Sequence, residues 1–449
     1  MNLKKGKRMK KIAIGFIGMA LSFSLAAQET PRVLYTLNGT AKTISKVDLK
    51  TALVENDILT VGDVPNRIHA KGTMMYVVNS TPPGISVIDA ATDQVTKNIS
   101  LPEGSNPWDL EFIDETRVLV SGLIANGVYV YDVVTGDSLD FIATGVAPAG
   151  IQILDGKAYV ACSGGWQNNY TPSTVSVIDL TTLTQVQSID VLLNPQEIGL
   201  APDGKLHVVC TGNYGDVGGN VVVVDPTAGE NNTAAAIDTI ALGGTPGDIA
   251  ITSAGVAWLP DWGNGTNGFL YSYNTATGAI LNDAGNPVLV GNGAIGVYYN
   301  AAENALFVPV FGEDFVQQLD VTTGAILNTF PVGDGVTDVV FYGGDNTTSV
   351  APGETQPSAF VLQQNYPNPF NPQTQITFEL ARAAHVKLSI YNLRGQLVKT
   401  LLDTPFGRGI FSKIWDGKDA AGRDVASGQY MYELRAGDVR SMKKLMLLR

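Results

Sequence analysis

Cysteine is scarce in these 449 residues: there are two, Cys162 and Cys210, and histidine is little commoner at three. A fold stapled by disulfides is excluded, and the chain is long enough to build large apolar cores instead. Signatures of common catalysts are missing as well, with no HExxH, GxSxG, CxxC or CxxCH. The stretches "GNGTNG" (263–268) and "GNGAIG" (291–296) satisfy GxGxxG, but no helix follows either. Neither can turn a helix N-terminus toward a pyrophosphate, so both read as turn glycines.

Positive charge is also missing. No Lys or Arg occurs between 206 and 345, and residues 28–345 carry ten cations against 34 anions, a balance of −24. A phosphate backbone needs a basic face, so nucleic acid is excluded as a partner of this segment. Beyond the first thirty residues no apolar run approaches the roughly 18 residues of a spanning helix, so no transmembrane segment is expected in the mature chain.

At the start, Lys4, Lys5, Lys7, Arg8, Lys10 and Lys11 precede "IAIGFIGMALSFSLAA", which gives way to polar "QET". This is the order of a secretory signal peptide, read as residues 1–27 with cleavage after Ala26 or Ala27, and it makes the Sec machinery a partner.

A repeat occupies most of the remaining chain. Strands ending in Asp or Asn recur as "TISKVD", "GISVID", "GVYVYD", "TVSVID", "VVVVD", "FLYSYN" and "FVQQLD", closing at Asp48, Asp89, Asp132, Asp179, Asp225, Asn274 and Asp320. Each opens a turn such as "DVVTG", where an Asx side chain bonds the backbone two residues on, so these acids read as turn-makers. Between them, segments opening "PNRIHA", "PWDLEF", "PAGIQI", "PQEIGL", "PGDIAI", "AIGVYY" and "VTDVVF" begin short apolar strands. Four short strands per repeat, with almost no helical period, predict an all-β fold: a seven-bladed β-propeller over 28–345. Its closing blade combines residues 28–64 with 336–345, hiding the two terminal edges. The repeat text resembles the YVTN family of seven-bladed propellers, "ISVIDAATDQVTKNISL" most closely. That family implies the fold and leaves the ligand open.

Residues 346–364, rich in Pro, Ser and Thr, read as a linker. Beyond it "NYPNPFNP" precedes alternating strands that predict a small immunoglobulin-like β-sandwich over 365–449, entered by a rigid, proline-fixed lead-in. Here "NYPNPFNPQTQITFEL", "VKLSIYNLRGQLVKTL", "WDGKDAAGRDVASGQYMYEL" and "KKLMLLR" resemble the C-terminal sorting domain of type IX secretion cargo, a family overlapping the immunoglobulin-like domain of flagellar hook-capping proteins. The resemblance implies passage through the periplasm, type IX machinery as a partner, and a secreted or outer-membrane surface location. It assigns Pro367, Pro369, Trp415, Asp416, Lys443, Lys444 and Arg449 to the sorting signal. A plain spacer domain is the alternative.

Two candidate sites share one face of the propeller. Two residues past each strand opening stand Arg67, Asp109, Gly150, Glu197, Asp248, Gly296 and Asp338, placing four carboxylates and a guanidinium around the channel mouth. Facing carboxylates repel unless a cation or Arg sits between them, so Asp109, Glu197, Asp248 and Asp338 are candidate ligands for Ca²⁺, the alternative being hydrated residues that cap the channel. Arg67 with His69, on the same strand face, is the best catalytic pair for an anionic substrate, against ordinary packing. The long loops "SGGWQNNYTPS", "TGNYGDVGGN" and "PDWGNGTNG" offer Trp166, Tyr170, Tyr214, Asp261 and Trp262, with Trp108 from a neighbour. Aromatic faces beside amides and carboxylates suit a glycan or a polypeptide, or else simply cover the propeller end. The expected activity is that of an extracellular binding or scaffold module. A hydrolase or lyase at the channel mouth and a surface-layer or adhesion protein without a discrete ligand are the alternatives. Cys162 and Cys210 fall in equivalent strands of adjacent blades, too far apart to bridge, and read as buried thiols.

Overall fold

The computed structural model describes residues 32–229 and 233–342 and, further on, 360–362, 365, 368, 370–380, 384–392, 397–406, 409–436 and 439–448. The expected signal peptide, most of the linker, Pro367, Pro369 and Arg449 lie outside the described residues. Among the described residues the regular structure is strand throughout, apart from a single 3₁₀ turn at Trp166–Asn168, and no helix is long and apolar enough to cross a membrane.

Seven antiparallel sheets succeed one another from Val33 to Tyr342. The first is composite: Val336–Tyr342 pairs with Val33–Asn38, which continues to Thr43–Asp48 and Leu53–Thr60. Each later sheet runs in simple order from an innermost strand to an outermost one, beginning at Pro65, Pro107, Pro148, Pro195, Ala250 and Tyr298. In the sixth sheet the outer strand is split into Ile280–Asn282 and Val288–Val290, both paired to Gly268–Asn274.

The stacking of the sheets is a consequence of their period. Alternate side chains leave a strand on opposite faces, so a strand buried on both sides reads as a continuous apolar run such as "VVVV". In the fifth sheet Val222 and Val224 join a core with the fourth sheet, while Val221 and Val223 join a core with the sixth. The same alternation makes seven cores, each between consecutive sheets, and the last joins Phe307 and Val316 of the seventh sheet to Leu34, Val47 and Phe341 of the first. The ring is therefore closed by side-chain packing as well as by the composite sheet, a propeller-like arrangement.

The turn acids behave as their chemistry predicts. Asp132 accepts from the amides of Val134 and Thr135 at 2.8 Å each, Asp179 from Thr181 and Thr182 at 2.8 and 2.9 Å, and Asp320 from Thr322 and Thr323 at 3.0 and 2.8 Å. Cys162 and Cys210 are free, buried thiols.

The C-terminal part forms a second unit of two sheets, Phe360–Leu362, Thr374–Leu380 and Gly409–Trp415 in one, and Leu397–Phe406, Ala384–Asn392, Gly428–Ala436 and Val439–Leu447 in the other. Phe360–Leu362 lies inside the stretch expected to be linker, yet it pairs with Thr374–Leu380, so the sandwich starts earlier than its text suggests. "NYPNPFNP" is likewise more than a lead-in. Asn365 is buried and donates from Nδ2 to Thr374 Oγ1 at 2.9 Å, Asn368 accepts from the Met446 amide at 2.8 Å, and Phe370 packs on Trp415. Trp415 is fully buried with its indole N–H given to the Lys418 carbonyl, and Asp416 pairs with Lys399 at 3.0 Å. Lys443 and Lys444 lie on the last strand opposite Tyr432 and Met431.

Candidate functional site

The ring position is made by a backbone irregularity. In the second to fifth sheets the innermost strand shifts register just after its opening proline, between Pro65 and Arg67, Pro107 and Leu110, Pro148 and Ile151, and Pro195 and Glu197. A bulge re-aims side chains, here into the channel. An innermost strand is also an edge, with amides facing the channel and no strand to receive them.

Carboxylates from the preceding sheet receive those amides. Asp338 Oδ2 accepts from Ile68 N at 2.8 Å, Asp109 Oδ2 from Ile151 N at 2.9 Å, and Asp248 Oδ2 from Val297 N at 3.2 Å. Asp338 and Asp109 stand on one sheet and their donors on the next, Asp248 and Val297 lie just ahead of the sixth and seventh sheets, and each donor directly follows a ring residue. The two ring glycines make room: a Cβ on Gly150 would come within 2.5 Å of Glu197 Oε1, and one on Gly296 within 3.2 Å of Asp248 Oδ2.

Arg67 supplies the positive charge. Its Nη2 lies 3.0 Å from Glu197 Oε2, its Nη1 3.8 Å from Asp248 Oδ2, and Nη1 donates to Tyr298 Oη at 3.2 Å, while Tyr298 Oη donates to Asp338. Four ring positions are thus tied through one guanidinium and one phenol. His69 Nε2 lies 3.1 Å from Asp109 Oδ1, an ion-pair distance. Around them a cavity of about 430 Å³ follows the inner strands from Arg67 to Lys71, from Asp109 to Phe112 and from Asp338 to Phe341.

Burial sets the protonation of this cluster. It pushes Glu197 well up despite Arg67, Asp248 up to about 6, Asp338 upward and Glu111 up to about 7. Burial also opposes the charge of Arg67, but Tyr298, Asp248, Glu197 and Asp338 outweigh it and hold its pKa high. For Asp109 burial acts upward and is outweighed by His69 and Arg67, so that carboxyl titrates low; His69 is raised by Asp109 against its own burial. Low dielectric here favours few net charges, and of the two groups expected between the carboxylates, a cation or Arg, the guanidinium of Arg67 stands there. Among the described residues no group of three or more His, Cys, Asp or Glu is arranged to hold a metal ion.

The aromatic candidates divide. Trp108, Trp166, Tyr170 and Tyr214 converge on a concavity of about 360 Å³ between the loops of the third to fifth sheets. Trp166 is 72 % exposed and Tyr214 62 %, with the rings of Tyr170 and Tyr214 6.2 Å apart. Trp262 belongs elsewhere, tilted against Phe311 at 5.5 Å. Asp261 is no surface ligand: only 6 % exposed, it accepts from Tyr271 Oη at 2.8 Å, from Gly263 N at 2.9 Å and from the Thr245 amide, and so ties its loop down. It is the counterpart of Asn79, whose Oδ1 accepts from Gly62 N at 3.0 Å.

Tyr298 and Glu111 join the channel without having been singled out by the sequence. The signal for them is the period of two that leads from Arg67 to His69: applied to every ring position it reaches Glu111 from Asp109 and Tyr298 from Gly296.

A family model described as the FlgD Ig-like domain matches residues 365–438. No curated protein matches the chain. Among solved structures the chain is similar to a proposed 6-phosphogluconolactonase from Bacteroides uniformis (11 % identity, TM-score 0.56, covering 70 % of this chain and 100 % of that one). It is also similar to a functionally unknown protein from Desulfotomaculum acetoxidans (16 %, 0.54, 70 % and 100 %) and to hydrazine synthase from Kuenenia stuttgartiensis (18 %, 0.52, 63 % and 96 %). At such identities these likenesses carry the fold and no activity.

Proposed function

We propose that the chain is an exported seven-bladed propeller of YVTN type that binds a ligand outside the cell through the pocket lined by Trp108, Trp166, Tyr170 and Tyr214, and that its C-terminal domain is the type IX sorting signal. The observation that carries the binding reading is the pocket itself. Large aromatic faces left in water around one concavity mark recognition surfaces, and the loops presenting them are longer than closure of the sheets requires. The channel, by contrast, has its charged groups committed to one another and to backbone amides, which argues for a structural rather than a catalytic ring.

Binding is tested by screening the purified protein against glycan and peptide arrays and repeating each hit with Trp166→Ala and Tyr214→Ala. Truncating a stacked aromatic anchor costs about 2 kcal/mol or more, so at least a tenfold weakening is expected; hits indifferent to both substitutions would overturn the reading. Sorting is tested in a bacterium with a type IX system. The whole chain is expected in the medium or on the surface and a chain ending at residue 359, before the first strand of the sandwich, in the periplasm, and equal export of the two would sink the proposal.

A further inference from the structure

We propose that the Trp108–Trp166–Tyr170–Tyr214 pocket takes a neutral saccharide; this rests on the binding reading above and names its ligand class. The first ground is charge. None of the residues lining the pocket is Asp, Glu, Lys, Arg or His, although residues 28–345 carry 34 acids and ten cations. An anionic ligand would find no cation there, and a cationic one no carboxylate.

The second ground is the polar set that remains, which is dominated by carboxamides: Asn126, Gln167, Asn168, Asn194 and Gln196. An amide presents a donor and an acceptor side by side, matching sugar hydroxyls that both give and take a hydrogen bond. Part of this capacity is spent on placing the groups. Asn194 Nδ2 donates to the Gly212 carbonyl at 3.1 Å while its Oδ1 accepts from Gln196 Nε2 at 2.6 Å. Asn126 Oδ1 accepts from Ala147 N at 2.9 Å, and Asn168 Nδ2 donates to the Gly164 carbonyl at 3.2 Å. What these bonds leave over is the acceptor of Gln196, the donor of Asn126 and the acceptor of Asn168, each on a side chain already oriented. Preorganised amides of this kind lose little on binding.

The third ground is the backbone. Tyr170 and Tyr214, the paired pocket tyrosines, both sit at left-handed φ, 58° and 57°, where a bulky residue is rare. Such strain persists where the surroundings enforce it and gathers at ligand sites. Here the two strained residues place their rings, 6.2 Å apart, in the wall of the concavity that Trp166 and the amides also line. Apolar C–H faces of a pyranose stack on such rings, while its hydroxyls reach the amide rim.

The test uses the full protein, titrated by calorimetry with neutral oligomers of glucose, xylose, mannose and N-acetylglucosamine, with uronic-acid oligomers, and with the peptides of the array. At least one neutral oligomer is expected to bind, with a Kd changing less than twofold between 50 and 500 mM NaCl, and to weaken at least tenfold in Trp166→Ala. Gln196→Leu, which keeps the aromatic faces, is expected to weaken it as well, separating recognition from a folding defect. Binding only of uronic-acid oligomers, or only of peptides, with loss in Trp166→Ala overturns the neutral saccharide and leaves the pocket as a binding site. If no compound binds, or Trp166→Ala is indifferent, both readings fail.

Discussion

Arg67→Ala is expected to destabilise the propeller by about 3–5 kcal/mol at pH 8 and by much less at pH 5. Removing one partner of a buried pair costs that much because the other is left as an uncompensated charge, and Arg67 is shared by Glu197 and Asp248 and reaches Asp338 through Tyr298. The pH dependence follows from the same geometry. Burial already lifts Glu197, Asp248 and Asp338, so without the guanidinium they climb further. Lowering the pH toward 5 therefore protonates them more readily and lessens the need for a counter-ion, whereas at pH 8 each must ionise in the channel or hold its proton against the solvent. Thermal unfolding at the two pH values measures it, the larger loss showing as a midpoint several degrees lower. Arg67→Met keeps the apolar stem and is expected to recover only the packing part. A loss under about 1 kcal/mol at pH 8 would mean a hydrated surface ring and would make the channel a candidate ligand site again. Binding at the aromatic pocket is expected to survive Arg67→Ala.

The ring is legible because repetition makes it so: a strand opening seen seven times fixes the residue two places on, whatever its identity. The purpose of the ring is not legible in the same way. Four carboxylates without their surroundings look like cation ligands, and only the register shifts after Pro65 and Pro148 show backbone amides that take an acceptor from the preceding sheet. Asp261 misleads for a similar reason. Following Pro260 at the end of a strand it resembles a loop acid, but Tyr271 and the Thr245 amide draw it inward, and Asn79, its counterpart in the second sheet, is a buried tie of the same kind. Convergence of Trp108 with Trp166 and Tyr214 is foreseeable from adjacent repeats, whereas the turning of Trp262 toward Phe311 depends on a tertiary contact with the following sheet. In the C-terminal unit, prolines advertise a rigid entrance, but the anchoring is done by Asn365 ahead of them and by Asn368 and Phe370 between them.

Stability of the propeller is expected to peak on the acid side of neutrality, near about pH 4 to 5, and to fall toward pH 8. A carboxyl whose folded pKa lies above its unfolded value binds protons more tightly in the native state, so its contribution is full below the unfolded pKa and is lost as pH rises to the folded one. Asp248, lifted by burial from an ordinary 3.8 to about 6, is worth about 3 kcal/mol in this sense, and Glu197 and Asp338 act with the same sign. His69, raised by Asp109 against its burial, adds stability that is present below its unfolded pKa and disappears as pH climbs through its folded one. The opposite limb comes from the turns. Asp48, Asp132, Asp179 and Asp320 are lowered by the backbone amides they accept, so what they contribute is lost as pH falls through their folded values, below 3.8. Unfolding midpoints between pH 3 and 8.5 at constant ionic strength should trace this arch. Asp248→Asn is expected to flatten its neutral limb, because the amide cannot titrate, and to lower the whole curve, because an amide has one acceptor for the two backbone donors, Ile249 N and Val297 N, that the carboxylate serves. Stability that instead rises from pH 5 to pH 8 would show that the channel carboxylates are held ionised, and the guanidinium would then be a net attraction strong enough to overcome their burial.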